Sequence, residues 1–402
     1  MPTQVWTHCR SGLRAGLTVL GATLVFAVAC EGVYRLQGAL RRLVASAARP
    51  RVAHPYAQEP WFPAFDAEEH ASRLMQWEPY VYWRRRPYRG RYINVDSSGR
   101  RRTVQPLGRR APARRIWFFG GSAMWGTGAR DEGTIPSQVG ALLSEHGVDD
   151  VAITNYGETG YVFTQELLRL ELELRRGARP DVVVFYDGIN DIAAAVMDGQ
   201  AGVPQNESNR AAEFQLGRRL GPDNDLRAFV TALGLAASRS ALLRRLTTLE
   251  SPAPAESPSS DTLARRVVDT YAATAQLAEA LARRYGAQVC YFWQPALYTT
   301  RKALTPYEQA LRAKLDGDPF ERRLRTVPVA ATAAIDARMA GVAPGRFTNL
   351  SGLFDGDTTT VFLDQIGHTT ERADRRLAAV MLDRLLAVLP PTRTGRAIAV
   401  RR

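Results

Sequence analysis

Ser122 lies in the run Phe118-Phe119-Gly120-Gly121-Ser122-Ala123-Met124-Trp125-Gly126. Here an apolar stretch gives way to two glycines and a hydroxyl. Residues 116–119 read as a short buried strand, and the glycines let the chain turn sharply after it. Other uses of these glycines fail on spacing. A phosphate-binding P-loop needs a lysine where Thr127 stands. A dinucleotide fingerprint would continue with glycine where Ala129, Arg130 and Asp131 follow Gly128. A nucleophile elbow of the G-x-S-x-G kind needs glycine at Met124. What remains is a serine presented on a strand-to-loop turn. Its hydroxyl is a weak nucleophile until a base takes its proton and donors stabilise the oxyanion that forms.

The sequence holds five histidines from which to draw that base. His8 falls in the N-terminal leader, and His54 in a segment that reads as a tether. His70 precedes a β-rich stretch, and His146 closes a helix on the far side of a crossover from the strand ends. His368, just before the last helix, is left by elimination, and an imidazole has the pKa the task requires. Asp364, four residues earlier, is placed to hold the ring in one tautomer, as the acid of a triad does.

Oxyanion donors are expected from neighbouring strand ends. Gly160, in Asn155-Tyr156-Gly157-Glu158-Thr159-Gly160-Tyr161, can offer its backbone N–H. Asn190, in Tyr186-Asp187-Gly188-Ile189-Asn190-Asp191, can offer its side-chain amide. Each stretch alone is a turn after a strand. Together they occupy the ends of three successive strands, with Ser122 on the first. Asp191 reads as a brace for the Asn190 turn, and Gln294, at the end of a fourth strand, as a substrate contact.

The elements that must position these groups follow from patterning. Continuous apolar runs at residues 116–119, 151–155, 182–186 and 288–293 alternate with amphipathic helices at 135–146, 164–176 and 262–285. Asp261 reads as the cap of the last of these, and Gly286 as its end. This pattern predicts an α/β fold in which a parallel sheet is covered on both faces, and right-handed crossovers make it a three-layer α/β/α sandwich. Residues 304–339 and 369–389 read as further helices. Residues 192–260 interrupt the alternation and read as an insertion or lid, with a Pro/Ser-rich stretch at 251–260. Upstream, residues 77–104 form a small β-rich prelude of aromatics and arginines. The boundaries drawn are 1–36 for a signal peptide or membrane anchor, 37–110 for tether and prelude, 111–391 for the catalytic domain and 392–402 for a basic tail.

The 402-residue chain is 45% hydrophobic and 23% charged, which is ordinary for a globular protein. Its net charge of +13 does not point to nucleic acid, because the arginines are scattered and form no basic stripe interleaved with aromatics. Cys9, Cys30 and Cys290 supply no disulfide framework. The apolar run at residues 15–30 follows Arg10 and Arg14 and suits export or membrane anchoring. This predicts an extracytoplasmic catalytic domain attached through the N-terminal segment.

Ser122 after Gly120-Gly121, Gly160, Gly188-x-Asn190-Asp191 and the late His368 fall in the order of the four blocks of the SGNH hydrolases, or GDSL esterases. The chain resembles that superfamily from residue 116 to 389, and its prelude resembles those of membrane-attached bacterial members. The resemblance implies a flavodoxin-like sheet and hydrolysis of an acyl ester without metal or cofactor. It also implies oxyanion donation from the backbone of Ser122 and Gly160 and from Asn190. Expected substrates are acylated small molecules, lipids or glycans, such as O-acetyl esters. Acyl transfer to a sugar, or a non-catalytic binding role, are the alternatives. Two positions depart from the pattern. Gly121 replaces the aspartate of GDS, and Asp364 and His368 are four residues apart where three is usual, so either Asp364 or a backbone carbonyl orients His368.

Overall fold

A computed structural model of the chain describes residues 21–22, 25–40, 52–106, 113–220, 258–313 and 319–391. The chain divides into two compact units. One comprises Met1–Arg51 with Asn209–Ser257, and the other Val52–Ser208 with Pro258–Arg402. In the first, residues 25–40 are helical. A helix at Glu207–Leu220 carries the chain from the second unit into the first. The second unit holds every group discussed below.

Its elements in chain order are α1 (Phe62–Ala71), β1 (Met75–Glu78), β2 (Tyr82–Arg85), β3 (Tyr88–Arg89), β4 (Asn94–Val95), β5 (Arg114–Gly120), α2 (Ser122–Trp125), α3 (Ile135–Glu145), β6 (Val151–Asn155), α4 (Phe163–Arg175), β7 (Val182–Asp187) and α5 (Ile189–Asp198). They continue with α6 (Ser260–Arg284), β8 (Gln288–Trp293), α7 (Pro306–Ala313), α8 (Pro319–Ala340), β9 (Phe347–Asn349) and α9 (Glu371–Val388). The main sheet has the order β6-β5-β7-β8-β9, and every pair in it is parallel. This is the doubly wound order 2-1-3-4-5, in which the switch point lies between the first and third strands. Ser122 and Asn190 follow the two strands that flank it, and Gly160 follows β6, on the other side of β5.

The alternation of side chains along each strand divides the core. Trp117, Phe119, Phe185, Tyr291 and Trp293 face one way and pack with Leu170, Ile192, Tyr271 and Val327 of the helices on that side. Ile116, Phe118, Val184, Tyr186 and Phe292 face the other way, against Val139, Leu143, Leu377 and Met381 of α3 and α9. β7 is buried at all six positions, which is why it reads as an unbroken apolar run. The edge strand β6 is closed off by a side chain. Gln105 Oε1 accepts from Ile153 N at 2.8 Å, and Gln105 Nε2 donates to Ile153 O at 2.9 Å, mimicking a neighbouring strand.

Several expectations are corrected. Residues 52–75 are not a tether, because α1 and the segment before it pack into the second unit, and Phe65 shares a small core with Tyr92, Ile93, Val95 and Trp125. The span read as insertion or lid begins with a core helix, α5, whose Ile192, Ala194 and Ala195 are buried; residues 221–257 lie outside the described residues. Ser259, not Asp261, caps α6, with its hydroxyl accepting from Thr262 N at 3.2 Å. The sheet has a fifth strand, β9, whose three residues are too few to show a period. The prelude forms two antiparallel pairs, β1–β2 and β3–β4. Most of the leader and all of the basic tail lie outside the described residues. Among the described residues no helix is long and apolar enough to cross a membrane.

Candidate active site

β5 ends at Gly120, and Gly121 turns the chain into α2, a single helical turn that begins with Ser122. A side chain at position 121 would put its Cβ 1.8 Å from Asn190 Nδ2. The glycine is what allows the Asn190 amide to lie against the nucleophile turn.

His368 arrives from the other end of the chain. Residues 363–368 form a tight loop, closed where Leu363 N donates to His368 O at 2.8 Å and Thr370 N to Val361 O at 2.9 Å. Within it Asp364 Oδ1 accepts from Ile366 N at 3.0 Å and from His368 N at 3.2 Å. The other carboxylate oxygen of Asp364 is hydrogen-bonded to His368 Nδ1. The opposite ring nitrogen, Nε2, lies 2.7 Å from Ser122 Oγ. With Nδ1–H donated to a carboxylate, Nε2 is free to accept the serine proton. The spacing of four is thus accommodated by a loop that folds back on the carboxylate, and Asp364, rather than a backbone carbonyl, orients the ring.

The loop is supported from beneath. Glu308 Oε1 accepts from Val361 N at 2.9 Å and Phe362 N at 3.2 Å, while Lys302 Nζ donates to its Oε2 at 2.5 Å. Gln294 belongs to this support. It is buried and donates from Nε2 to Gly367 O at 3.1 Å, and it does not line the cavity. Its expected role as a substrate contact is therefore replaced by one in holding the His368 loop.

Burial on its own would lower the His368 pKa. The adjacent Asp364 carboxylate outweighs it and, with a contribution from Glu69 and opposition from Arg73, raises the ring above its ordinary 6.5. Burial likewise pushes the Asp364 carboxyl up, but the charge and hydrogen bonds of His368 and the Ile366 N–H hold it below its ordinary value.

Ser122, Gly160, Asn190 and His368 open together on a cavity of about 590 Å³. Gly160 has φ +73°, a left-handed conformation suited to glycine. Neither its N–H nor that of Ser122 has an acceptor among the described residues. The Ser122 N–H is one of those a helix start leaves unpaired. With the Asn190 amide these are three donors on residues that line the cavity with Ser122 Oγ. Behind Asn190, Asp191 Oδ1 accepts from Phe163 N at 3.1 Å, tying the start of α4 to that of α5.

The cavity has a wall that sequence patterning did not provide. His54, Tyr56, Phe62, Asp66, Glu69 and Arg73 line it. His54 was set aside as part of a tether, yet it stacks on Phe62 with ring centroids 4.4 Å apart and accepts from Tyr56 N at 3.2 Å. His70 and His146 instead cap their own helices through Asp66 O and Leu142 O. The Gly160 loop holds one further residue that sequence patterning did not single out. Glu158 is buried, and its pKa is pushed by that burial up to about 7 against N–H groups of Arg85 and Thr159. A carboxylate in a turn directly after a buried strand was the available signal. Among the described residues no cluster of His, Cys, Asp and Glu is arranged to hold a metal ion.

Residues 118–319 match the GDSL-like lipase/acylhydrolase family. Asp364 and His368 lie beyond that segment. No curated protein matches the chain. Solved structures to which it is similar include the acetyl xylan esterase AlAXEase, at 14% identity over 67% of this chain and 98% of that one, with a TM-score of 0.37. TesA is similar at 15% identity over 69% and 100%, with a TM-score of 0.36. Axe2, an acetylxylan esterase from Geobacillus stearothermophilus, is similar at 13% identity over 68% and 95%, with a TM-score of 0.37.

Proposed function

The chain belongs to the GDSL-like lipase/acylhydrolase family and is a hydrolase acting on ester bonds, and from that premise we propose that it works through an acyl-enzyme on Ser122. The observation that carries this is the unbroken line from Asp364 through His368 to Ser122, with 2.7 Å between Nε2 and Oγ. His368 removes the Ser122 proton as Oγ attacks the ester carbonyl. The carbonyl oxygen, now negative, sits among the N–H groups of Ser122 and Gly160 and the amide of Asn190. His368 then returns the proton to the departing alcohol, leaving the acyl group on Ser122. Water, deprotonated by the same imidazole, attacks the acyl-enzyme; the proton goes back to Ser122 and a carboxylic acid leaves.

The substrate reading is an acylated glycan or lipid bearing short acyl groups such as acetyl. The mixed lining of aromatic rings, carboxylates and arginine beside the nucleophile supports a polar alcohol portion. The apolar leader at residues 15–30 supports placement at or beyond the cytoplasmic membrane. Ser122→Ala is the direct test. Turnover of p-nitrophenyl acetate should be lost while circular dichroism and melting stay as in the parent, and undiminished turnover would refute the acyl-enzyme.

A further inference from the structure

Arg85 lies at the end of β2, far upstream of the family-matched segment, yet its guanidinium is enclosed among the groups of the active site, with 3% of its side chain exposed. Nε and Nη2 donate to Thr159 Oγ1 at 3.3 and 2.8 Å, and Nη1 donates to Ser72 O at 2.8 Å. The guanidinium carbon also lies 4.0 Å from the ring centroid of Trp125, the last residue of the turn that begins with Ser122. One side chain therefore touches both the nucleophile turn and the residue just before Gly160.

The rest of β2 grips the same loop. Arg85 N donates to Glu158 Oε2 at 2.7 Å, and Trp83 Nε1 donates to Thr159 O at 2.7 Å. Tyr161 OH donates to Trp83 O at 2.5 Å. Glu158 also accepts from Thr159 N at 2.7 Å. Thr159 is thus held at its N–H, its hydroxyl and its carbonyl. Its carbonyl belongs to the peptide whose nitrogen is the Gly160 N–H, so fixing Thr159 O fixes the direction of that donor. Gly160, at positive φ, has no side chain of its own to set it.

From this we infer that Arg85 is a positioning residue for the oxyanion hole: through Thr159 and Trp125 it sets the Gly160 N–H relative to Ser122. The inference rests on the acyl-enzyme reading. Arg85 and Thr159 both line the cavity, but the guanidinium contacts go to Thr159 and Ser72; action through the donor loop is therefore separated from direct contact with substrate by whether the loss falls on kcat or on KM. A small displacement of a preorganised donor weakens an interaction realised only as charge develops, and therefore lowers kcat more than it raises KM.

The test compares Arg85→Met, which keeps much of the stem over Trp125, with Thr159→Val, which removes only the hydroxyl that Arg85 holds. Both are assayed with p-nitrophenyl acetate and with an arylboronic acid, whose adduct on the serine is tetrahedral and anionic. Arg85→Met should lose about 10–10²-fold in kcat, a part of the 10²–10³-fold value of a whole donor, with KM within about threefold. Thr159→Val should show the same signature at smaller size. The boronate inhibition constant should weaken in step with kcat/KM, and the apparent pKa of the kcat/KM profile should not move. Retention of kcat and boronate affinity by both variants would overturn the inference, as would a loss confined to KM. Should Arg85→Met fail to fold, Thr159→Val decides by the same readouts. Ser122→Ala in the same series separates the two readings. An inactive Ser122→Ala beside fully active Arg85 and Thr159 variants sinks only the role of Arg85, whereas an active Ser122→Ala removes the reading beneath it.

Discussion

In the mechanism we propose, only neutral His368 can take the Ser122 proton, so the reaction is limited at low pH by that imidazole. The Asp364 carboxylate raises the ring above 6.5 against burial, so the acid limb of kcat/KM lies above that value and activity falls as the pH drops through it. Two groups on the α1 wall adjust the limb in opposite directions. Glu69, whose carboxylate accepts from Gly128 N at 3.1 Å and from Arg73 at 2.9 Å, favours the protonated ring, and Arg73 disfavours it. Glu69→Gln is expected to move the limb to lower pH and Arg73→Gln to higher pH. Rate profiles between pH 5 and 9 check this. Shifts of the same sign in both variants would show that structural disturbance, and not charge, had been measured.

At the scale of elements, the site is made by the facing of two turns, the one after β5 and the one after β7. Their separation is set by the absence of a side chain at Gly121, since a Cβ there would fall 1.8 Å from Asn190 Nδ2. Gly121→Ala therefore has to displace the amide, and its loss of kcat should approach that of Asn190→Ala, about 10²–10³-fold. The double variant should be little worse than either single one, and fully additive losses in a double-mutant cycle would show that the two positions act independently. This dependence between elements also marks what was legible in the sequence. The strands at 151–155 and 288–293 were placed to the residue, because each is a largely apolar run bounded by polar or turn residues. His368 stood out because the chain has only five histidines, and Ser122, Gly160 and Asn190 because each follows one of three successive strands. Asp364 was left open, since a spacing of four from His368 says nothing about the fold of the loop between them. The prelude was legible as β structure, but its function was not. The contacts of Arg85 with Thr159 span 74 residues, and no local pattern encodes such a distance. Gln294 was misread for a related reason: a polar residue at a strand end looks the same whether it meets substrate or the underside of another loop.

On the scale of the whole molecule, the two sides of the active site are joined through a buried cluster of carboxyl groups. Glu166 of α4, Asp187 at the end of β7 and Asp191 of α5 are all buried beside the Tyr271 ring. Burial, reinforced by Asp187 and Asp191, pushes Glu166 well above the usual carboxyl value. Burial together with Asp191 does the same for Asp187, and burial raises Asp191 to about 6 against the N–H groups that bind it. The folded chain thus keeps protons that the unfolded chain gives up above about pH 4. Since the unfolded state binds fewer protons in that range, the contribution of this cluster to stability is greatest below the unfolded carboxyl pKa and declines as pH rises from there through the folded values. Glu166→Gln removes one such proton-binding group while keeping its shape. Its melting temperature should therefore fall less between pH 5 and 8 than that of the parent, with the difference between the two proteins growing in favour of the variant toward pH 8. The change is read by thermal unfolding at a series of pH values in matched ionic strength. A parallel pair of curves would mean that the cluster carries the same protons in the folded and unfolded chain, and that the link between α4, β7 and α5 is held by packing alone.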